Sequence, residues 1–308
     1  MRRLEAGRSA IDDYAARVSA ADRVPAPVLV LGAIVSVQFG GALAATLIPR
    51  IGAAGSVALR LIFASAILLV IVRPRLRGYR PAQWRTVVLF GIALGLMNFT
   101  FYASLAHLPL GVAVTIEFIG PLALATYLSR RRRDLVAVAA AAVGVVFISD
   151  ALNVPLAQLN WTGIALALTA GGCWAAYILL ATRTGADFPQ LDGLAIAMLV
   201  ATALVAPFGV SGAGKWDAPL LATGLGIAIL SSLLPYSLEL LALRRLSAAV
   251  FGILLSLEPA AAALAGLLVL NQRLHPVQLA GMALVVGASA LIMSAGGLEK
   301  DPSEAAAT

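Results

Sequence analysis

Long apolar stretches alternate with short polar joints along most of the 308-residue chain. Several uncharged runs, among them 24–49, 86–116 and 151–182, exceed the roughly 20 residues that a helix needs to cross the hydrocarbon core of a membrane. The pattern predicts an all-α polytopic membrane protein, in which the second span is the weakest because Arg60 interrupts it. The ten predicted transmembrane helices are 27–48, 54–72, 86–106, 110–129, 135–150, 162–182, 192–209, 219–241, 246–270 and 275–295.

The composition agrees with a membrane protein and narrows its chemistry. Hydrophobic residues make up 61% of the chain and charged residues 12%, against roughly 25% charged residues in soluble domains. The single cysteine, Cys173, excludes an internal disulfide and a metal site built from several thiolates. The net charge of +7 does not indicate nucleic-acid binding, because the arginines lie in short tracts between apolar runs, where they orient a membrane protein. We therefore expect no metal, no cofactor and no nucleic-acid partner.

The basic residues also predict the orientation of the chain. With both termini in the cytoplasm, eighteen of the 22 Lys and Arg residues fall on the cytoplasmic side and three on the outer side, as expected because basic residues resist translocation. The four arginines at 130–133 are interpreted as an anchor of this kind. The Arg-rich start is not a signal peptide, because the apolar run after it is long enough to span a membrane. We interpret 1–26 as a cytoplasmic segment with an amphipathic helix at 1–23, and 296–308 as a cytoplasmic tail.

An internal repeat divides the ten helices into two sets of five. A shift of 138 positions aligns "SLAHLPLGVAVTIEFIGPLALA" with "ALRRLSAAVFGILLSLEPAAAA", and Pro121 then meets Pro259. A shift of 131 positions aligns the glycine pair 40–41 with the pair 171–172. Because five is an odd number, the second copy enters the membrane from the opposite side, which predicts inverted repeats, 27–150 and 151–295. Paired glycines let helices approach closely, and we expect that to be their role.

Three glutamates lie inside predicted spans, whereas the other twelve acidic residues lie in termini, in loops or near span ends. A carboxylate in mid-membrane is unfavourable unless it is protonated, paired or facing water, so Glu117, Glu258 and Glu239 are candidates for proton coupling. Structural hydrogen bonding between helices is the plainer alternative, and for Glu239 an ion pair with Arg244 or the neighbouring arginine is the simpler explanation. Prolines are expected to break the fourth and ninth helices beside Glu117 and Glu258, which favours a central binding site there.

Other polar and aromatic residues fall on the helices that the repeat brings into correspondence: one, three and four match six, eight and nine. A cavity between the halves would suit a small polar or zwitterionic ligand, although the aromatic residues also fit ordinary packing. In such a cavity Glu117 should prefer its neutral form until a substrate ammonium arrives, so that proton and substrate compete for it. His107 falls in an outer turn and is interpreted as a loop residue. The candidate substrate-binding residues are Gln38, Asn98, Tyr102, Glu117, Trp174, Tyr177 and Tyr236.

Three stretches resemble the drug/metabolite transporter superfamily in its ten-helix form with two EamA-type repeats. They are "GLMNFTFYASLAHLPLGVAVTIEFIGPLALA", "GGCWAAYIL" and "LSSLLPYSLELLALRRLSAAVFGILLSLEPAAAALAGLLVLNQRL". The succession of PYSLE and LSLEPA is similar to the threonine/homoserine exporters of bacterial inner membranes (RhtA-type). The resemblance covers 27–295 and implies export of threonine, homoserine or similar amino acids, with protons as the exchanged ion.

The predicted function is therefore that of an inner-membrane secondary transporter, with a small zwitterionic amino acid, protons and membrane lipid as partners. A related carrier for another metabolite or a cationic drug is the alternative, in which Glu117 or Glu258 would bind the cation directly. A membrane-embedded enzyme is disfavoured because HExxH, GxSxG and Cys/His clusters are absent from the sequence. A channel is disfavoured by the inverted repeat, which is typical of alternating access. The sequence decides neither the exact substrate nor the oligomeric state.

Overall fold

The protein is helical throughout the part of the chain that the structure describes. A computed structural model describes residues 24–129, 131–149, 152, 154–155, 160–210, 216–270 and 275–294, so the predicted amphipathic helix at 1–23 and the tail at 296–308 lie outside the described residues. Helices α1 and α2 are the arms, 26–51 and 53–72, of a helical stretch Ala26–Val72 interrupted at Gly52. The others are α3 Pro81–Ser104, α4 Leu110–Leu128, α5 Arg132–Ile148, α6 Trp161–Asp187, α7 Asp192–Gly209, α8 Ala218–Leu243, α9 Ala248–Leu255 with Leu257–Leu270, and α10 Pro276–Ser294.

The helices have the length and apolarity of membrane spans. Five helices within the described ranges can each cross a bilayer by length and composition alone, and shorter apolar helices accompany them. Spanning helices satisfy their own backbone hydrogen bonds, which lipid cannot do. The chain is therefore an all-α, multi-pass membrane protein. The five long spans are Pro49–Val72, Pro81–Ser104, Trp161–Asp187, Asp192–Gly209 and Ala218–Leu243.

Gly52 turns the chain back on itself between α1 and α2. Its φ of 71° and ψ of 171° lie outside the helical region, in a conformation that glycine adopts without steric cost. At the start of α1, Arg245 Nη1 donates to the carbonyl oxygen of Val24 over 2.6 Å. After the end of α2, the amide of Arg75 donates to Asp192 Oδ2 over 3.1 Å. Arg244, at the end of α8, donates to the backbone carbonyls of Phe188 and Gln190 just before α7. The end of α8 and the start of α7 therefore lie together, and α1 and α2 return to the same end of the bundle.

Helices of each half pack against helices of the other half, as expected for inverted repeats. Helix α1 packs on α8 of the second half, and α6 packs on α3 of the first half, while α5 packs on its counterpart α10. Contacts between residues about 138 positions apart, close to the shift of the repeat, mark the axis that relates the halves: a Cβ added to Gly144 or Gly281 would overlap the carbonyl oxygen of the other. Asn98 Nδ2 donates to Tyr236 Oη, 138 residues away, over 3.0 Å. The fold is therefore two inverted five-helix repeats.

The paired glycines contribute unequally to this packing. A Cβ on Gly40 would overlap Ser231 of α8, and a Cβ on Gly171 would overlap the carbonyl oxygen of Glu117 in α4. The second glycine of each pair has no such neighbour within 4 Å. Close approach therefore depends on the first glycine of each pair, where the sequence had indicated both.

Proline breaks α9 but not α4, so half of that prediction was wrong. In α9, Pro259 lacks the backbone N–H that would donate a hydrogen bond to the carbonyl of Leu255. The helix is interrupted directly after Leu255. Helix α4 stays continuous with Pro121 inside it. The carbonyl that Pro121 leaves without a helical partner belongs to Glu117, and Gly171 of α6 packs directly against it. Support from the neighbouring helix explains why α4 tolerates its proline.

Candidate functional site

A buried hydrogen-bonded unit joins α3, α6 and α8 at the interface of the two repeats. Asn98 of α3 donates to the hydroxyl of Tyr236 in α8, as described above, and Tyr236 also donates to Asn98 Oδ1 over 3.3 Å. The rings of Tyr236 and Tyr177 lie 5.8 Å apart between centroids. Tyr177 of α6 donates its hydroxyl to Glu239 Oε2 over 2.7 Å. All four side chains are buried, so they face the protein interior and not lipid.

Glu239 has a different partner from the one expected. Its carboxylate accepts the hydrogen bond from Tyr177, and within the described ranges no cationic group lies within 4 Å of it. Arg244 and Arg245 donate to backbone carbonyl groups of other segments. The ion-pair interpretation of Glu239 was therefore wrong, because the helix directs this side chain inward to α6 and away from the arginines at its end.

A π-helical turn at Ile229–Leu233 positions the residues of α8 that enter this unit. Pro235 follows the turn and cannot donate to the carbonyl of Ser231, which favours the wider hydrogen-bond pattern. Tyr236 lies three residues after the turn and Glu239 three residues further, on the face toward α3 and α6. The stretch LLPYSLE thus sets the orientation of both side chains.

The carboxyl groups of α4, α8 and α9 lie close enough to interact. Glu117 is buried in α4 and interacts electrostatically with Glu258 of α9, which in turn interacts with Glu239. Gln38 of α1 donates through Nε2 to the backbone carbonyl of Glu258 over 3.4 Å. Neighbouring carboxylates repel each other when both are ionised. The arrangement is therefore suited to holding a proton or a cation.

An aromatic wall, formed by Phe118 and Trp174, joins α4 to α6 at the residue that follows Glu117. Trp174 of α6 packs edge-on against Phe118, the residue after Glu117, with ring centroids 4.9 Å apart. Trp174 lies one turn from Tyr177 on the same helix, and both are buried. These contacts fit ordinary packing and equally the wall of a ligand site, so the role of Trp174 stays a prediction.

Arg60, which the sequence pattern indicated only as an interruption of α2, belongs to the same cluster. It is 6% exposed, donates through Nη2 to Asn98 Oδ1, and places its guanidinium carbon 5.5 Å from the ring centroid of Tyr102. The signal that singled out the glutamates, an ionisable residue inside a span, applied equally to Arg60. Direct contacts thus join Arg60 to five of the predicted residues, which are Asn98, Tyr102, Tyr177, Tyr236 and Glu239. Gln38 contacts the backbone of Glu258, and Trp174 contacts Phe118.

Two other features of the structure lie apart from this chemistry. A cavity of about 520 Å³ lies near the end of α2, with Leu69, Trp84, Ile196 and Leu199 in its mainly apolar lining, and it includes none of the cluster residues. Among the described His, Cys, Asp and Glu side chains, no group of three or more could hold a metal ion. The three glutamates are therefore not arranged as a metal site.

Comparison with known proteins places this geometry in a family. The model of the EamA-like transporter family matches residues 161–294. The threonine/homoserine exporter RhtA of Escherichia coli (strain K12) is 42% identical over 264 residues, which cover 85% of this chain and 89% of that protein. RhtA of Salmonella typhimurium (strain LT2) is 41% identical over 266 residues, covering 85% and 90%. A crystal structure with 18% identity covers 87% of this chain and 96% of its own at a TM-score of 0.72, which supports the fold alone. The chain belongs to the EamA-like transporters of the drug/metabolite transporter superfamily, in the RhtA-type group.

Proposed function

We propose that the protein is a secondary transporter that exports small amino acids of the threonine and homoserine type by proton antiport. The observation that carries the proposal is the buried cluster between the inverted repeats, which combines carboxyl, phenol, amide and guanidinium groups. Central sites of this kind, at repeat interfaces and beside interrupted helices, are typical of alternating-access transporters. The names of the RhtA relatives support the substrate class.

Competition for a carboxyl group is the proposed coupling step. A substrate ammonium and a proton would each neutralise one carboxylate of the pair Glu117 and Glu258, and a buried carboxylate favours either over remaining charged and unpaired. A proton entering from outside would then displace the amino acid, which links export to the proton gradient. Glu239, which interacts with Glu258, is the third candidate for the proton site. The proposal does not choose among the three.

Export of a cationic drug or another metabolite is the alternative. The observation that favours it is the aromatic wall beside Glu117, where Phe118 and Trp174 pack edge-on. An aromatic surface next to a carboxylate suits an organic cation through cation–π and charge attraction. In that case a substrate carboxylate would be dispensable for transport.

The proposed location is a bacterial inner membrane with both termini in the cytoplasm. The described arginines that follow α2 and end α8 contact the α6–α7 connection and the start of α1, so they gather at one end of the bundle. Basic residues accumulate on the cytoplasmic side. The termini lie outside the described residues. Reporter fusions at Thr308 and Arg130 test the orientation, and an outside location of either would contradict it.

Uptake into inside-out membrane vesicles tests the function. Vesicles containing the protein should accumulate labelled threonine above the outside concentration when their interior is acidic, and a protonophore should abolish the accumulation. Vesicles from cells that lack the protein provide the baseline. Downhill equilibration that does not depend on the pH gradient would indicate a channel, and competition by unlabelled amino acids would rank the substrates.

A further inference from the structure

Arg60 is a buried cation whose hydrogen-bonding capacity is only partly used. One of its terminal nitrogens donates to Asn98 Oδ1, and its guanidinium lies over the ring of Tyr102. Its Nε is buried, with no hydrogen-bond partner among the described residues. A guanidinium has five N–H donors. Arg60 therefore holds donors inside the cluster that the neighbouring side chains do not satisfy.

Among the described residues, no carboxylate lies in direct contact with Arg60. The ion pairs within the described ranges join Arg50 to Asp217 and Arg133 to Asp134, and none includes Arg60. A buried charge without a counterion is strongly unfavourable. The planar fork of a guanidinium matches a carboxylate through two parallel hydrogen bonds. The vacant donors of Arg60 are suited to a carboxylate that is supplied from outside the protein.

We propose that Arg60 binds the carboxylate of the exported amino acid. The inference rests on the proposed function and deepens it, because a zwitterion needs a cation at one end and an anion at the other. A chain of contacts leads from Arg60 toward the carboxyl groups: Arg60 donates to Asn98, Asn98 donates to Tyr236, and Tyr236 interacts with Glu239, the neighbour of Glu258. The pair Glu117 and Glu258 takes the ammonium end. The site is therefore specific for free amino acids and excludes amines, esters and lactones that lack the carboxylate.

Competition by substrate analogues tests this without any mutation. In inside-out vesicles that accumulate labelled threonine, the unlabelled competitors are threonine and threoninol, which keeps the ammonium and hydroxyl groups but lacks the carboxylate. Homoserine and homoserine lactone form a second pair, in which the lactone lacks the carboxylate and, through ring closure, the free hydroxyl as well. Threoninol and the lactone cannot accept the charged hydrogen bonds from Arg60. We therefore expect them to compete about 10- to 100-fold more weakly than the free amino acids.

Substitution of Arg60 should remove that discrimination. In Arg60→Gln, threonine and threoninol should compete within about threefold of each other, since no charged bond to the carboxylate remains. Arg60→Lys keeps the charge without the fork and should discriminate to an intermediate degree. Arg50→Gln, at the exposed Arg50–Asp217 pair, is the matched control and should discriminate like the wild type. The amount of protein in the membrane is measured for each variant.

The outcomes separate this inference from the proposed function. Equal competition by threonine and threoninol in wild-type vesicles that accumulate threonine would overturn the role of Arg60 and leave amino-acid export standing. Full discrimination in Arg60→Gln would do the same. Failure of wild-type vesicles to accumulate threonine at all would overturn the proposed function and the inference together.

Discussion

Helices α4 and α9 occupy corresponding places in the two repeats and carry the same elements, a glutamate and a proline, yet they fold differently. In α4, Glu117 stands four residues before Pro121 and the helix is continuous. In α9, Glu258 directly precedes Pro259 and the helix is interrupted. The two helices also touch, since a Cβ on Gly252 would stand 3.1 Å from the carbonyl oxygen of Pro121.

The difference shows that the neighbouring helix decides what a proline does. The freed carbonyl of α4 lies against Gly171, which lets α6 pack close enough to support the helix on that side. In α9 the neighbouring contact is different: the side-chain amide of Gln38 donates to the carbonyl of Glu258, just after the interruption, and not to the freed carbonyl of Leu255. A side chain is a longer and more adjustable contact than a glycine backbone. We therefore expect α4 to be the rigid carboxylate-bearing helix and α9 the jointed one.

The largest expected effect concerns the two glutamates themselves. Glu117→Gln and Glu258→Gln keep the shape of the side chain but remove its ionisation, so each should abolish proton-coupled export with expression near normal. Vesicle uptake of labelled threonine at several pH gradients measures this. Wild-type rates with unchanged pH dependence in both variants would mean that these glutamates are structural, and the coupling site would then be sought at Glu239.

The paired glycines give the next largest effect, on stability. Gly171→Ala and Gly40→Ala each add a methyl group where another helix stands, and overpacking of this kind should lower the free energy of unfolding by about 1–3 kcal/mol. Gly172→Ala and Gly41→Ala are matched controls, because their new methyl groups meet no neighbour within 4 Å. Thermal unfolding in detergent compares the four. Equal midpoints across each pair would contradict the assigned close contacts.

Replacing each proline by alanine tests the contrast between the rigid helix α4 and the jointed helix α9. Pro259→Ala restores an amide that can bond the carbonyl of Leu255, so we expect the α9 interruption to close and amide exchange there to slow by about fivefold, the value of one ordinary hydrogen bond. Export should fall, because a continuous α9 loses the joint beside Glu258. Pro121→Ala should change both readouts less, since α4 is already continuous. Faster exchange in α9 after the substitution would count against the joint.

Most of the architecture could be predicted from the sequence, because apolar run length and loop charge are local properties. All ten helices were predicted, and the repeat that relates them follows from the alignment of Pro121 with Pro259. The intact α4 could not be predicted, because it depends on Gly171 of another helix. The partner of Glu239 likewise depends on how α6 packs. Arg60 could have been found from its position inside a span, and its contact with Asn98 could not.

The smallest expected effect compares how the corresponding helices α3 and α8 begin. Helix α3 is capped by neutral groups, with the amide of Arg80 donating to Gln83 Oε1 over 2.8 Å. Helix α8 is capped by Asp217, the residue before its first turn. The Asp217 carboxylate accepts from the amide of Leu220 over 2.9 Å and pairs with Arg50 at 2.8 Å. The start of α8 should therefore respond to acid, and the start of α3 should not.

The direction of that response follows from the pKa. The hydrogen bond from the Leu220 amide, followed by that from Arg50, lowers the pKa of Asp217 below its ordinary value of 3.8. A lowered pKa means that the folded protein favours the charged form, so the stabilisation is present above about pH 4 and is lost as the pH falls through the folded pKa. Asp217→Asn keeps the capping oxygen but cannot titrate. The unfolding midpoint of Asp217→Asn should therefore approach that of the wild type below pH 4. The midpoint of Gln83→Ala should differ from that of the wild type by the same amount at every pH. Parallel curves for wild type and Asp217→Asn would show that the charge at this cap has no effect, because an exposed pair contributes little once water screens it.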